Sequence, residues 1–245
     1  MNEIKQIDNS KFLMIDSDFI EENLRFAKVN KLDNFLISAR IGNYKLKDIN
    51  FLIDYPQIEK LYISVYEYID YQIINSLQNL HTLSIDVLAN DNQKIDFSNF
   101  PKLEKLSFDW RLKEENLDNV RTLRYLTIGK FKKKDLTYLS KLNKIESLGI
   151  FQSQIKSLNG INELTNLKKL CIVLCPKLSK LDGISACENL EELIIANAKN
   201  INDINELSKL KKLRKIRIES CGNIEIPINK TILEKIELVG ATAFI

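Results

Sequence analysis

Large apolar residues recur along this chain in one figure: an apolar position, two free, an apolar position, one free, an apolar position. The figure fits ten times. Leu32, Ile58, Leu80, Leu103, Leu123, Ile145, Leu167, Leu190, Leu213 and Leu233 hold its first position. Phe35, Leu61, Leu83, Leu106, Leu126, Leu148, Leu170, Leu193, Ile216 and Ile236 hold the second. Ile37, Ile63, Ile85, Phe108, Ile128, Ile150, Ile172, Ile195, Ile218 and Leu238 hold the third. Second positions follow one another at intervals of 20 to 26 residues, a period typical of stacked supersecondary units. The second and third positions lie two apart, so both side chains share one face of a short strand. Beyond the strand, apolar residues come every third place, as at Ile155, Leu158, Ile161 and Leu164. That spacing suits a tight 3₁₀ return. A single unit cannot bury its own apolar face, so neighbours stack and their strands align in parallel. The pattern predicts an α/β solenoid of about ten coils, with a curved parallel sheet on its concave side and short helical or 3₁₀ returns on its convex side.

The stretch QIKSLNGINELTNLKKLCI, from Gln154 to Ile172, closely resembles the 22-residue coils of internalin-like leucine-rich repeats. KLSKLDGISACENLEELII repeats the theme one period later, with Asp182-Gly183 in place of Asn159-Gly160. The resemblance runs from Leu32 to Leu238 and implies a protein-binding solenoid. One departure is clear. Three residues after the third position the family usually places Asn, whereas this chain has Arg40, Tyr66, Leu88, Arg111, Phe131, Ser153, Cys175, Ala198 and Cys221. Cysteine is an accepted alternative there, and Ser153 can play the same role. The first five coils have nothing comparable, so the N-terminal half is expected to be less regular.

Solenoids need covered ends. Residues 1–30 are read as a capping segment, 31–240 as the solenoid and 241–245 as a tail. In the cap, Lys11 to Ile15 is expected to extend the sheet, and Ser17 or Asp18 to N-cap a helix through FIEENLRFAKV. The stretch from Val239 to Ile245 is expected to cover the last coil poorly, leaving an edge open.

The chain has 245 residues with only 4 Pro and 7 Gly, so no linker divides it. Its net charge of +3 points to no acidic partner. Polar residues break every apolar run near the N-terminus, and no stretch reaches 18 apolar residues. A cytoplasmic protein without membrane contact is expected, its four cysteines free thiols. Cys175 and Cys221 share a position two coils apart, roughly 10 Å at the usual strand spacing, too far for a disulfide. Cys171 and Cys187 add no zinc-binding arrangement. Phosphate-binding glycine loops are absent. His81 precedes its strand while Ser84 and Asp86 lie on it, so no triad forms. No enzyme, cofactor or metal is expected. Lys132-Lys133-Lys134 and Lys209 to Arg217 are basic runs at outward positions, most simply a solvated face, with nucleic-acid binding as the rival reading.

The residues between and just after the inward positions should face the concave side. There the chain places Tyr62, Asp86, Lys105, Asp109, Trp110, Tyr125, Phe151, Lys169, Val173, Leu174 and Ile194. The only Trp stands among them, a residue type enriched at interface anchors, with burial in the irregular N-terminal turns around Asp109-Trp110-Arg111 as the alternative. Asp86 and Asp109 should sit about 5 Å apart on adjacent strands, which suggests a basic group on the partner. Cys171, Val173, Leu174, Ile194 and Ala196 form an apolar strip, which marks an interaction surface or a covered one. The expected function is binding of another protein on the concave face, as an inhibitor or an immunity protein neutralising a toxin. A scaffold or regulatory subunit for an enzyme such as a phosphatase is the alternative.

Overall fold

In the computed structural model these short alternating runs become strands of parallel sheet. The structure describes residues 2–87, 93–110, 113–222, 224–225, 236–239 and 243–244. The chain forms two compact units, Met1–Thr122 and Leu123–Ile245.

The first unit opens with an antiparallel hairpin of β1 (Glu3–Ile7) and β2 (Ser10–Met14), in which Ile7 faces Ser10. Asp8 and Asn9 between them have φ of 47° and 62°. Two consecutive positive φ values make a type I′ turn, whose twist matches that of the strands it joins, and Asp and Asn tolerate them better than most residues. β2 pairs in parallel with β3 (Asn34–Ser38), β3 with β4 (Lys60–Val65), β4 with β5 (Thr82–Val87), and β5 with β7 (Lys105–Asp109). β6 (Lys94–Asp96) and β8 (Lys113–Glu115) pair with each other apart from this sheet.

Leu13 stands opposite Phe35, so β2 holds the place of one more coil strand. Its return is the helix α1 (Ile20–Asn30). Neither Ser17 nor Asp18 caps that helix: Phe19 precedes its first turn and no side chain bonds the first-turn amides. Asp16 instead accepts from the Asp18 amide at 3.0 Å, and Asn23 pins that turn by accepting from the Asp16 amide at 2.8 Å. The side-chain bond forms one step too early to serve the helix.

The second unit stacks β9 (Tyr125–Gly129), β10 (Ser147–Phe151), β11 (Lys169–Val173), β12 (Glu192–Ala196), β13 (Lys215–Glu219) and β15 (Ile236–Val239), each parallel to the next. β14 (Ile224–Glu225) and β16 (Ala243–Phe244) form a separate pair. Of the stretch expected to cover the last coil, residues 240–242 and 245 lie outside the described residues, as do Leu88, Arg111 and Leu233.

From Phe35 to Ile218 every second and third position is buried. Ile155, Leu158, Ile161 and Leu164 are all 0% exposed, as a return with one inward residue in three requires. The returns are 3₁₀ turns such as Gln72–Ser76 and Ile161–Glu163. Five of them begin in one way: Asp48, Asp70, Asp96, Asp135 and Asp203 each accept from the amide two residues on, at 2.8–3.0 Å. Asn79, Asn166 and Asn189 stand just before first positions and donate to the carbonyls of Pro56, Asn143 and Thr165 one coil back.

The exit from the strand differs between the units. In the second, Lys130, Gln152, Leu174, Asn197 and Ser220 all have φ between 49° and 58°. The left-handed residue turns the chain, and the next side chain points inward. Ser153 takes the role expected of it, accepting from the Phe131 amide at 2.9 Å and donating to the Phe151 carbonyl at 2.8 Å. Cys175 and Cys221 reach the Val173 and Glu219 carbonyls at 3.6 and 3.5 Å. In the first unit the strand alternation simply runs one step further, and Val65, Val87 and Trp110 turn into the core.

Candidate functional site

The side chains between inward positions stand on the open face of each sheet. In the first unit, strand register aligns Asn34, Lys60, Thr82 and Lys105 in one row and Leu36, Tyr62, Ser84 and Ser107 in the next. Little of this face is free. Phe12, Met14 and Leu36 cluster on it, with Ile7 and Tyr62 packed against them. The Phe12 and Tyr62 rings lie 4.7 Å apart. The hairpin turn brings Asp8 onto the Lys105 ammonium, with the Tyr62 hydroxyl donating to the same carboxylate at 3.4 Å. Ser10 accepts from Lys60 at 2.6 Å. Lys105 holds the Asp8 carboxyl below its usual range, and burial raises the Tyr62 phenol above its own.

Three expectations for this unit are corrected. Tyr62 and Lys105 do stand on the open face, but the chain's own N-terminal turn engages them. Asp86 needs no basic group from a partner, because Arg40 meets it at 2.7 Å and also lies over the Tyr66 ring at 5.0 Å. The ladder of β5 and β7 ends at Ile85 and Phe108, short of Asp86 and Asp109. Trp110 is only 5% exposed, stacked on Phe108 with ring centres 6.0 Å apart. Leu106, Phe108 and Trp110 follow one period of two, and that alternation was the available signal.

Among the described residues, the second unit keeps its face open. Register sets Tyr125, Ser147, Lys169, Glu192 and Lys215 in a first row, and Thr127, Gly149, Cys171, Ile194 and Arg217 in a second. Gly129, Phe151, Val173, Ala196 and Glu219 make the third. A Cβ at Gly149 would lie 2.8 Å from Phe151 Cε2, so the Phe151 ring leans across the space this glycine leaves. Phe151, Cys171, Val173 and Ile194 are half-buried neighbours on three adjacent strands. Leu174 beside them is 43% exposed. Together they form an apolar floor, with only Ala196 of the expected strip closed off at 8% exposure.

Charges frame this floor. Lys169 pairs with Glu192 at 3.1 Å, and Arg217 with Glu219 at 3.1 Å. Lys169, and after it Lys215 and Arg214, hold the Glu192 carboxyl below its usual range. Tyr125 is exposed, with the Arg124 guanidinium 5.9 Å from its ring centre. Below the first row Glu146 bridges Arg124 and Lys168, and Arg214 meets Glu191 at 2.7 Å. The cations of the basic run from Lys209 are largely engaged: Lys209 pairs with Glu206, and Lys212 donates to Asn189. Lys132, Lys133 and Lys134 are exposed, with Lys133 over the Tyr138 ring. Burial pushes the Cys175 and Cys187 thiols up to about 11. Among the described residues no helix is long and apolar enough to cross a membrane, and no cluster of ligating side chains could hold a metal ion.

No family model matches the sequence, and no curated protein matches it. Solved structures do match. The leucine-rich-repeat domain of the type III effector XopL superposes with a TM-score of 0.60 at 15% identity, over 93% of this chain and 84% of that one. An internalin (InlF) of Listeria monocytogenes gives 0.52 at 17% identity, over 92% of this chain and 77% of that one. Internalin C2 of the same organism gives 0.50 at 21% identity, over 69% and 74%. At identities this low the superpositions establish a shared fold alone.

Proposed function

With the fold established as that of the leucine-rich repeats, we propose that this chain binds another protein on the open face of its second unit. One observation carries the reading: an apolar floor of Phe151, Cys171, Val173, Leu174 and Ile194 inside a frame of charged side chains. A dry centre with a polar rim is the anatomy of a protein interface. Leu174 sharpens the argument. The fold places a left-handed residue at this point of each coil from Lys130 to Ser220. Lys, Gln, Asn and Ser fill the other four places. Leucine has no backbone advantage over these polar residues there and exposes an apolar side chain, so the fold alone does not account for it.

Tyr125, Phe151, Lys169, Val173, Leu174 and Ile194 are the residues proposed to make the contact. The partner's activity is proposed to be inhibited on binding, as by an immunity protein that neutralises a toxin. Retention of that activity in the complex would favour a scaffold or regulatory subunit. The chain itself is proposed to catalyse no reaction and to work in the cytosol, a location supported by its four unpaired cysteines. The test is affinity capture with the wild-type chain, with Leu174→Glu and Ile194→Asp on the floor, and with Lys133→Ala away from it. The expected result is one stoichiometric protein held by the wild type and by Lys133→Ala and lost from both floor variants. Equal recovery on all four baits would refute the assignment of the face. Loss only from Lys133→Ala, with affinity falling steeply in salt, would point to the basic run instead.

A further inference from the structure

The open face of the first unit is occupied by the chain itself, and its occupant is lightly secured. β2 is fixed by its core: Leu13, and Ile15 just after the strand, are 0% exposed. β1 has no such hold. Glu3, Ile4 and Gln6 are exposed, Ile4 at 43%, and only Ile7 joins an apolar cluster. At its start the strand is tied by Asn2, which bonds Asn23 at 2.9 Å and Glu22 at 3.2 Å. At its end it is tied by Asp8, on the Lys105 ammonium and the Tyr62 hydroxyl. Exposed ion pairs of this kind contribute little to stability. Among the described residues β1 is also the one antiparallel member of its sheet, and it stands at the edge. Lifting it would bare the hydrogen-bonding edge of β2, and an exposed strand edge is a template for an added strand.

We infer that the edge of β2, together with Lys60, Tyr62 and Lys105, is a second docking site, for an extended segment of a partner protein that ends in an acidic turn. β1 and Asp8 are its resident occupant and show what it takes: main-chain pairing along β2, one apolar side chain at the place of Ile7, and a carboxylate between two lysines and a phenol. The site is independent of the floor on the second unit. While β1 stays attached, its effective concentration is of the order of millimolar or more, so only a displaced strap leaves the site open to an outside segment.

The probe is the strap itself, supplied as a synthetic peptide of residues 2–9 and added to the full-length chain. Asp8→Lys sets a cation against Lys60 and Lys105 and releases the attached strap. In that variant the β1 amides are expected to exchange at least about tenfold faster, with those of β3 and β4 unchanged. The peptide should then shift the resonances of Tyr62 and Lys105 saturably, while a peptide carrying Asp8→Asn binds several-fold more weakly. The wild-type chain should ignore both. Lys105→Glu reverses the pair from the other side: it should also free β1, and should prefer a peptide with Asp8→Lys. It also serves if Asp8→Lys does not fold. Unchanged β1 exchange in both variants, no saturable shift with either matched peptide, or equal binding of the Asp and Asn peptides would each overturn the proposal.

Discussion

Gly160 and Gly183 occupy equivalent places one coil apart, and the same substitution in each should have unequal effects. Both sit in left-handed backbone, with φ of 93° and 86°. Alanine therefore meets the same conformational penalty in both, about 1–2 kcal/mol, offset by about 0.4–1 kcal/mol from a less flexible unfolded chain. What differs is the space. A Cβ at Gly183 has only the Ile161 Cγ2 within reach, at an ordinary 3.6 Å. A Cβ at Gly160 would lie 2.7 Å from the carbonyl carbon of Leu136 and from the nitrogen and Cα of Thr137. That obstacle is backbone, which no rotamer change can move aside. The Leu136 amide also donates to the Asn159 carbonyl at 2.8 Å, clamping the two turns together. Overpacking of this kind costs about 1–3 kcal/mol. Gly183→Ala should thus lower stability by about 1 kcal/mol, and Gly160→Ala by about 2–4 kcal/mol. Urea unfolding followed by circular dichroism reads both. Equal losses, or a larger loss at Gly183, would refute the claim that close approach of the neighbouring coil, and not φ alone, demands glycine at 160.

Ser153→Ala should cost about 1–3 kcal/mol, because it strips the buried Phe131 amide of its acceptor; Ser153→Cys should cost less, since Cys175 holds the same position one coil on, and thermal denaturation of the two variants checks the order. Glu146→Gln leaves Arg124 and Lys168 without their shared carboxylate and should cost about 1 kcal/mol or less. That loss should shrink further in 1 M salt, and a salt series of unfolding midpoints decides it. The Asp8 carboxyl is held below its ordinary 3.8, first by its hydrogen bond with Lys105. The sign follows: the strap's charge contact is complete above that ordinary value and is lost as pH falls through the lowered one. The Tyr62 ring resonances should therefore stay constant down to about pH 4 and move only below it, and a midpoint at or above 3.8 would count against the contact.

The inward positions were legible because a period of two leaves no choice: once Leu61 and Ile63 face the core, Tyr62 must face away from it. The same rule placed Phe151, Val173 and Ile194 on the face where they stand. It left Trp110 open between face and core, because coil four departs from the template there and the N-terminal turns were expected to be irregular. Among the described residues, the left-handed residues that follow a coil strand run from Lys130 to Ser220, and there the chain swings outward after the third position. Val65 and Val87, β-branched residues two places after Ile63 and Ile85, were the available hint that β4 and β5 run on. Local turn chemistry was also readable, in the five Asp residues that start returns and in the Asn residues ahead of Leu80, Leu167 and Leu190. Asp8-Asn9 between two short alternating runs is itself a hairpin signal. That this hairpin would reach Lys105, far along the chain, depends on tertiary packing and has no local trace.

This long-range contact changes what the face of each unit offers a partner. On the first unit, the charges that sequence reasoning assigned to an outside protein are compensated from within: Asp86 by Arg40, Lys105 by Asp8. A partner arriving there must break contacts before making any, and its affinity is reduced by the fraction of time the strap is open. On the second unit the internal pairs Lys169–Glu192 and Arg217–Glu219 frame the apolar floor without covering it. On the proposed reading a partner meets that floor without displacing any described residue, and burial of Leu174, Val173 and Ile194 should add to binding from the first contact. Substitutions should separate the two faces accordingly. Changes on the floor should mainly alter how long a complex lasts, because they remove contacts made in the bound state. Changes that loosen β1 should mainly alter how fast a complex forms at the first unit, because they raise the population able to bind. Association and dissociation rates measured for Leu174→Glu and Asp8→Lys against one purified partner would separate these effects, and an Asp8→Lys chain that differed from wild type only in dissociation would show that the strap is no gate.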